Sequence, residues 1–178
     1  MGKLYFVRHG ETVWNVENKI CGCTDSPLTE KGLAQARQTG ELLRQMGLPI
    51  DEVLYSPLSR AADTARQIAG VLGVPARREE RLREQNFGRF EGTPRDGAEF
   101  RAAKAQFVCR YGGGESMMQV AHRIYSLLDE VTADPQRTVL LVAHNGIARV
   151  VNSYFREMTN EEYAAFAVKN CQVLEYEF

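Results

Sequence analysis

Thr138-Val139-Leu140-Leu141-Val142-Ala143-His144-Asn145-Gly146 is the stretch whose reading decides the fold. It is almost wholly apolar until it stops at a histidine, as a strand buried on both faces of a parallel sheet should be. Two other stretches have the same form: Leu4-Tyr5-Phe6-Val7 runs into Arg8-His9-Gly10, and Glu52-Val53-Leu54-Tyr55 ends at Ser56-Pro57. Helical signals lie between them. Thr29 predicts the cap of a helix carrying Leu33, Ala36, Gly40 and Leu43 on one face. Ser56 before Pro57 predicts another helix start, with Ala61, Ala65, Ile68 and Leu72 as the buried stripe. Ser116 and Gln119 form a capping box ahead of Val120, Ile124, Leu127, Leu128 and Val131. Cys171 to Phe178 alternates as a final strand would. The alternation of strand and helix predicts an α/β chain, a three-layer α/β/α sandwich around a largely parallel sheet.

A length of 178 residues fits one domain, expected to span 1–178. The stretch from 87 to 114 mixes arginines, aromatics and glycines and predicts loops around a short helix, a lid-like insertion over the site. The net charge of −1 argues against nucleic acid or an anionic membrane as partner. No apolar run approaches the roughly 20 residues of a membrane span. The N-terminus carries no signal-peptide pattern, and Phe6 stands where a myristoylation motif would need Ser or Thr. Cys21, Cys23, Cys109 and Cys171 contain no C-x-x-C pair and suggest no disulfide framework. A reducing cytoplasm is the expected location.

Open α/β sheets bind ligands beyond the carboxyl ends of their strands. Three such ends carry Arg8-His9, Arg60 about one turn into the following helix, and His144. A phosphate ester explains the set, because phosphoryl transfer needs positioning and positive charge more than elaborate covalent chemistry. Arg8 and Arg60 can offer planar forks to phosphate oxygens. Gly10 and Gly146 would let backbone N–H groups approach them. A neutral imidazole can attack phosphorus if its other nitrogen is held as a donor to a backbone carbonyl. A second, positively charged histidine would stabilise the group in transfer.

Arg8-His9-Gly10-Glu11-Thr12, followed by Trp14-Asn15, resembles the signature of the histidine phosphatase superfamily, the phosphoglycerate mutase-like proteins. The resemblance continues through Gly22, Asp25 and Pro27 to Gly32, through Ser56 to Ala61, through Leu82 to Gly88 with Glu91-Gly92, and through Gly113 to Ser116 and Ala143-His144. It implies that His9 is the phosphoryl acceptor, that Arg8, Asn15, Arg60 and His144 hold the phosphate, and that Glu84 is the proton donor. It implies no cofactor and no metal. The acid role makes physical sense as well, since an alkoxide leaving group needs a proton and the resulting carboxylate can activate water. Cys21-Gly22-Cys23 and Asn145 depart from the residues more usual in this family. Both positions border the site and bear on substrate preference, so Cys21, Gly22, Asn145 and Gly146 join the expected substrate contacts.

Plainer readings exist for several of these residues. His9 and His144 could be satisfied core histidines, and Asn15 a simple turn residue. Glu91 is the substitute for Glu84 as acid. His122 falls on the polar face of its helix and is expected to be solvated; Cys21 and Cys23 read as small apolar filling. Gly114-Glu115-Ser116 lacks the trailing glycine of a nucleophile elbow. No phosphate-binding G-x-x-x-x-G-K-[ST] loop occurs. The sequence therefore points to a phosphomonoesterase acting on a small phosphorylated metabolite. The rivals are a phosphoglycerate mutase and a catalytically dead phosphate-ester-binding module. Against the mutase stands the scatter of Arg89, Arg95, Arg101 and Arg110, with no adjacent pair after Glu84 to grip a substrate carboxylate. Oligomeric state stays open.

Overall fold

The computed structural model describes residues 2–178. In chain order its elements are β1 (Lys3–Arg8), α1 (Val13–Val16), α2 (Glu30–Gln45), β2 (Glu52–Tyr55), α3 (Ser59–Leu72), β3 (Ala76–Arg78), α4 (Ala98–Lys104), α5 (Met117–Thr132), β4 (Val139–Ala143), α6 (Asn145–Phe155), α7 (Asn160–Ala165) and β5 (Val173–Glu177). The strands form one sheet in the order β3-β2-β4-β1-β5. All neighbours pair parallel except β1 and β5. The antiparallel strand closes an edge, and the tail expected to be a strand is that edge.

Strand alternation sorts the core into two layers, because successive side chains leave a strand on opposite faces. Leu4, Phe6, Val139, Leu141 and Ala143 point to one face and pack with Val120, Ile124, Leu127 and Leu128 of α5 and Ile147, Val150 and Val151 of α6. Tyr5, Val7, Val53, Leu140 and Val142 point to the other, against Leu43 of α2 and Ala61, Ala65 and Ile68 of α3. The sheet is therefore the middle of three layers, as predicted. Small residues permit the close packing of α2 on α3: a Cβ on Gly40 would come within 3.0 Å of Val71.

Helix starts follow their side chains. The Thr29 hydroxyl accepts from the Gly32 amide at the head of α2, and Ser116 and Gln119 form the expected capping box on α5. The start of α3 differs from expectation. The helix begins at Ser59 with Leu58 as an uncapped N-cap, two residues beyond Pro57. The Ser56 hydroxyl is used instead to close a turn with the Leu58 amide and to meet His144. His122 is exposed, as expected of a polar-face residue.

Residues 87–114 carry a single 3₁₀ turn at Gly88–Phe90 and the short α4. Aromatic residues hold them together. Phe87, Phe90, Phe100 and Tyr111 make a separate small cluster with Ile20, and the Phe87 ring meets both Phe100 and Tyr111 edge-on at 5.5 Å. Among the described residues no helix is long and apolar enough to cross a membrane.

Leu141 has no solvent exposure and lies at the centre of the larger cluster. Leu141→Ala should remove about 2–5 kcal/mol of stability, read as a lower urea midpoint at unchanged slope. A loss under about 1 kcal/mol would contradict a packed central strand.

Candidate active site

Register brings the two histidines together. β1 and β4 are adjacent and in step, Arg8 opposite Ala143, so the next residue on each strand is a histidine. The His9 amide continues the ladder by donating to the Ala143 carbonyl at 2.9 Å. The two rings end with centroids 5.2 Å apart, both buried. β2 flanks β4 on the other side, and its ladder extends to Ser56, whose hydroxyl is 2.7 Å from His144 Nε2.

The His9 ring is oriented by its own neighbour. Nδ1 lies 2.8 Å from the Gly10 carbonyl. A carbonyl can only accept, so Nδ1 carries the proton and Nε2 keeps its lone pair. Burial, reinforced by the charges of Arg60 and Arg8, holds His9 well below the usual imidazole range. His144 is pushed the same way by burial and then by Arg60, His9 and Arg8. The second histidine is therefore neutral in the ligand-free site; the charge expected of it belongs to the group in transfer. Positive charge nearby disfavours another, and only a bound anion could reverse that.

Arginines supply the positive field. Arg8 donates to the Val168 carbonyl at 2.6 Å while its Nε is buried without a partner. Burial, and then Arg95, pull Arg8 down to about 10. Arg60 is fully buried, yet it is not in the cavity wall. Its fork reaches the carbonyls of Gly22 at 2.6 Å and Thr24 at 3.0 Å, with Asp25 at 3.3 Å. Expected to grip an anion with that fork, it braces the 21–25 loop instead and leaves only Nε unpartnered. His144 Nδ1 is a third buried nitrogen at the site with no partner among the described residues. Buried polar atoms left without partners are rare enough to need a reason.

The asparagines show a shared device. Asn15 Oδ1 receives the Thr12 amide and Asn170 Nδ2, each at 3.1 Å. Asn145 Oδ1 receives the Val168 amide at 2.8 Å. With the oxygens occupied, the NH₂ groups of both side chains are left as donors at the cavity that these residues line.

Glu84 is buried in the cavity wall, receiving the Gln85 amide at 2.9 Å and the Gly146 amide at 3.0 Å. Glycine at 146 leaves room for this: an added Cβ would lie 2.5 Å from Glu84 Oε1, and the carboxylate would have to shift. The glycine N–H groups expected to face a phosphate are otherwise engaged. Gly146 serves Glu84, Gly10 donates to the Thr64 hydroxyl at 3.0 Å, and Gly22 donates to Glu91 at 3.0 Å. Glu91, the substitute acid, receives the amides of Gly22, Cys23, Thr24 and Phe87 and is absent from the cavity wall. It holds the loop that holds Arg60. Cys21 is no apolar filler: its half-buried thiol lines the cavity, donates to the Thr24 carbonyl at 3.1 Å, and is pushed up to about 11 by burial.

The cavity measures about 260 Å³ and joins these groups to others that sequence reasoning did not single out. Arg149 lies on α6 one turn after Asn145, and Lys104 ends α4. Arg95, one of the arginines scattered through the sequence, lines the same wall. A signal for Arg149 was available, since one arginine interrupts the apolar run Ile147 to Val151.

Comparison with known proteins places the chain in a family. The profile of the histidine phosphatase superfamily, branch 1, matches residues 4–178. The chain belongs to that superfamily, and it has the fold of its members. Among curated relatives, a probable phosphoglycerate mutase GpmB of Salmonella newport is 39% identical over 155 residues, 83% of this chain and 71% of that one. Among solved structures, mycobacterial glucosyl-3-phosphoglycerate phosphatase in complex with VO3 superposes with a TM-score of 0.87 at 28% identity, covering 98% of this chain and 90% of that one. Bacillus stearothermophilus YhfR gives 0.84 at 29% identity, with coverage of 99% and 91%.

The neutral, oriented imidazoles are directly measurable. Ring ¹⁵N spectra should show His9 and His144 neutral at pH 6, with the proton of His9 on Nδ1. Stability has a sign to match. Unfolded histidines take up protons near 6.5 and the folded ones do not, so their contribution falls as pH drops below about 6.5. Imidazolium shifts for either ring at pH 6 in the ligand-free protein would contradict the effect of burial.

Proposed function

We propose that this protein is a metal-independent phosphomonoesterase that hydrolyses a small phosphorylated metabolite through phosphohistidine on His9. The observation that carries the reading is the His9 ring. It is neutral, with Nδ1 pinned to a carbonyl, and it stands among buried arginine and histidine nitrogens that have no other partner. In this reading the phosphoryl oxygens satisfy Arg8 and His144, with the Asn15 amide as a further donor. Arg60 contributes charge from behind. Nε2 forms a bond to phosphorus as the ester P–O bond breaks, and Glu84 gives its proton to the departing oxygen. The carboxylate then takes a proton from water as that water attacks phosphorus and frees Nε2. The cavity's size and its mixed aromatic and cationic wall suit a small ester.

A phosphoglycerate mutase is the second reading, favoured by the resemblance to GpmB and by the extra cations of the cavity. The scatter of arginines in the sequence does not by itself exclude it, because Arg95 and Arg149, far apart in the chain, line one cavity.

Two experiments test the proposal. Protein given substrate and quenched in alkali should hold an alkali-stable, acid-labile phosphoryl group that His9→Ala does not form. Glu84→Gln cannot protonate a leaving group, so alkyl phosphates should lose about a hundredfold or more in rate. A nitrophenolate leaves without a proton, so phosphorylation by p-nitrophenyl phosphate should largely survive and appear as a burst. Equal loss with both esters in that step would remove Glu84 from the acid role. Absence of phosphoprotein and of ester hydrolysis would leave only a binding module.

Positive charge in the proposed reaction comes from side chains alone, and among the described residues no three His, Cys, Asp or Glu gather in a metal-binding group. Activity should therefore survive EDTA dialysis in full. Loss restored by Mg²⁺ or Zn²⁺ would overturn the mechanism.

A further inference from the structure

The two histidines at the strand ends are held by different kinds of partner. His9 Nδ1 meets a carbonyl, that of Gly10 at 2.8 Å. His144 Nε2 meets a hydroxyl, that of Ser56 at 2.7 Å. A carbonyl fixes a ring because it can only accept. A hydroxyl has one proton to give and two lone pairs, so it suits either form of a neutral ring. The form that His144 takes is decided by what else Ser56 does.

Backbone holds Ser56 in place. Its amide donates to the Val142 carbonyl at 3.1 Å, continuing the pairing of β2 with β4 beyond Tyr55. Pro57 has no N–H to offer. The next amide, that of Leu58, turns back and donates to the Ser56 hydroxyl oxygen at 3.3 Å. That oxygen therefore already accepts once. Ser56 and His144 are both fully buried, and among the described residues no carbonyl or carboxylate accepts from this hydroxyl. With the ring proton on His144 Nε2, the oxygen would accept twice and its own proton would be buried without an acceptor. Such groups are rare and costly. The other form leaves nothing unpaired on Ser56, which then accepts from Leu58 and donates to Nε2. Burial and the neighbouring cations keep the ring neutral, so its one proton lies on Nδ1, the nitrogen left without a partner.

We propose that Ser56 is a positioning residue that donates to His144 Nε2, keeps the ring proton on Nδ1, and makes Nδ1–H the donor to an oxyanion carried on the His9 ring. The tautomer rests on the hydrogen bonds alone; the oxyanion rests on the phosphatase reading. The two imidazoles, with centroids 5.2 Å apart, are then set for opposite work by their partners. Both carry the proton on Nδ1. The Gly10 carbonyl uses the N–H of His9 and leaves a lone pair for phosphorus. The Ser56 hydroxyl uses the lone pair of His144 and leaves an N–H for oxygen. His144 can thus stabilise the group in transfer before it takes any second proton. The opposite tautomer would turn a lone pair, not a proton, on that oxygen.

Ring ¹⁵N spectra of the whole protein test this, because nitrogens with and without hydrogen resonate far apart. In ligand-free wild-type protein His144 should carry hydrogen on Nδ1 and none on Nε2. Hydrogen on Nε2 overturns the proposal, whatever the activity. Saturating inorganic phosphate should shift the Nδ1–H signal of His144, and phosphate that binds without moving it overturns the donor role. In Ser56→Ala the lock is gone, and both tautomers of His144 should be seen. The rate should then fall by the fraction of ring in the wrong form, about three- to tenfold. That is well short of the hundredfold or so expected for losing the donor outright in His144→Ala. Alkyl and nitrophenyl phosphates should lose equally, since the defect lies at the phosphoryl group, in contrast to Glu84→Gln. A Ser56→Ala protein whose His144 keeps the single Nδ1–H form overturns the role of Ser56, even if it is slow. Nδ1–H in the wild type and a mixture in Ser56→Ala, without phosphate binding or ester hydrolysis, keep the tautomer lock and remove the phosphatase reading.

Discussion

Buried guanidinium groups held by neutral carbonyls are the constraint on which the rest of this site depends. Taking a cation out of water is expensive, and a carboxylate partner would be the ordinary compensation. Here the oriented dipoles of Val168, Lys19 and Phe166 hold three arginines, and Gly22 and Thr24 hold most of a fourth. The positive field is thus preserved within the cavity wall. Its first consequence is chemical: together with burial, which is the larger cause, it drives both imidazoles to the neutral form, which for His9 is the form with a lone pair to give. Its second is that anion binding would relieve a cost already present in the folded chain, the usual relation between a preorganised site and the stability it forgoes.

Such a field needs a rigid frame, since carbonyl dipoles help only where they are aimed. The frame is assembled from close approaches. β1 and β4 run in register, so the histidines at their ends cannot slip past one another without moving the central strands. The four amides gathered by Glu91 shape the loop whose carbonyls hold Arg60. Gly22 within that loop leaves no room for a Cβ, which would lie 2.2 Å from the Gln85 carbonyl. Glu84 is fixed similarly, between its neighbour's amide and that of Gly146 at the head of α6. Two glutamates seven residues apart therefore do different work: one faces the cavity, the other ties backbone together behind it.

Much of this was legible in the sequence, for physical reasons that also mark where legibility ended. Fully apolar strands ending in Arg8-His9 and His144 announce themselves because a buried parallel strand admits nothing else, and ligands gather at such ends. Capping at Thr29 and Ser116 is local chemistry and was readable. The start of α3 was not, because Ser56 could cap a helix or serve a neighbour in space, and only the packed sheet decides that His144 wins. Residues 87–114 have no period to read; aromatic edge contacts organise them, and those are known only once the chain is folded. Arg95, Lys104 and Arg149 are illegible as a group because three different segments carry them.

That last group bears on the fate of phosphohistidine. Phosphatase and mutase chemistry share the first half of the reaction, so His9, Arg8, His144 and Glu84 cannot by themselves distinguish the two. The division comes afterwards, when either water or an alcohol stands in line with the phosphorylated nitrogen. A wall that releases the dephosphorylated alcohol leaves the position to water. A wall that grips a remaining anionic group keeps an acceptor hydroxyl nearby and raises its effective concentration against water. The grip must then be loose enough for the alcohol to turn and present another oxygen. Arg95, Lys104 and Arg149 arise from a loop, the end of one helix and the start of another, and they present no adjacent bidentate pair. Cations so dispersed would attract a second anionic group by charge while fixing its orientation weakly. In the proposed reading, an alcohol held so weakly would seldom keep the line of attack for long, and water is the expected acceptor of the phosphoryl group.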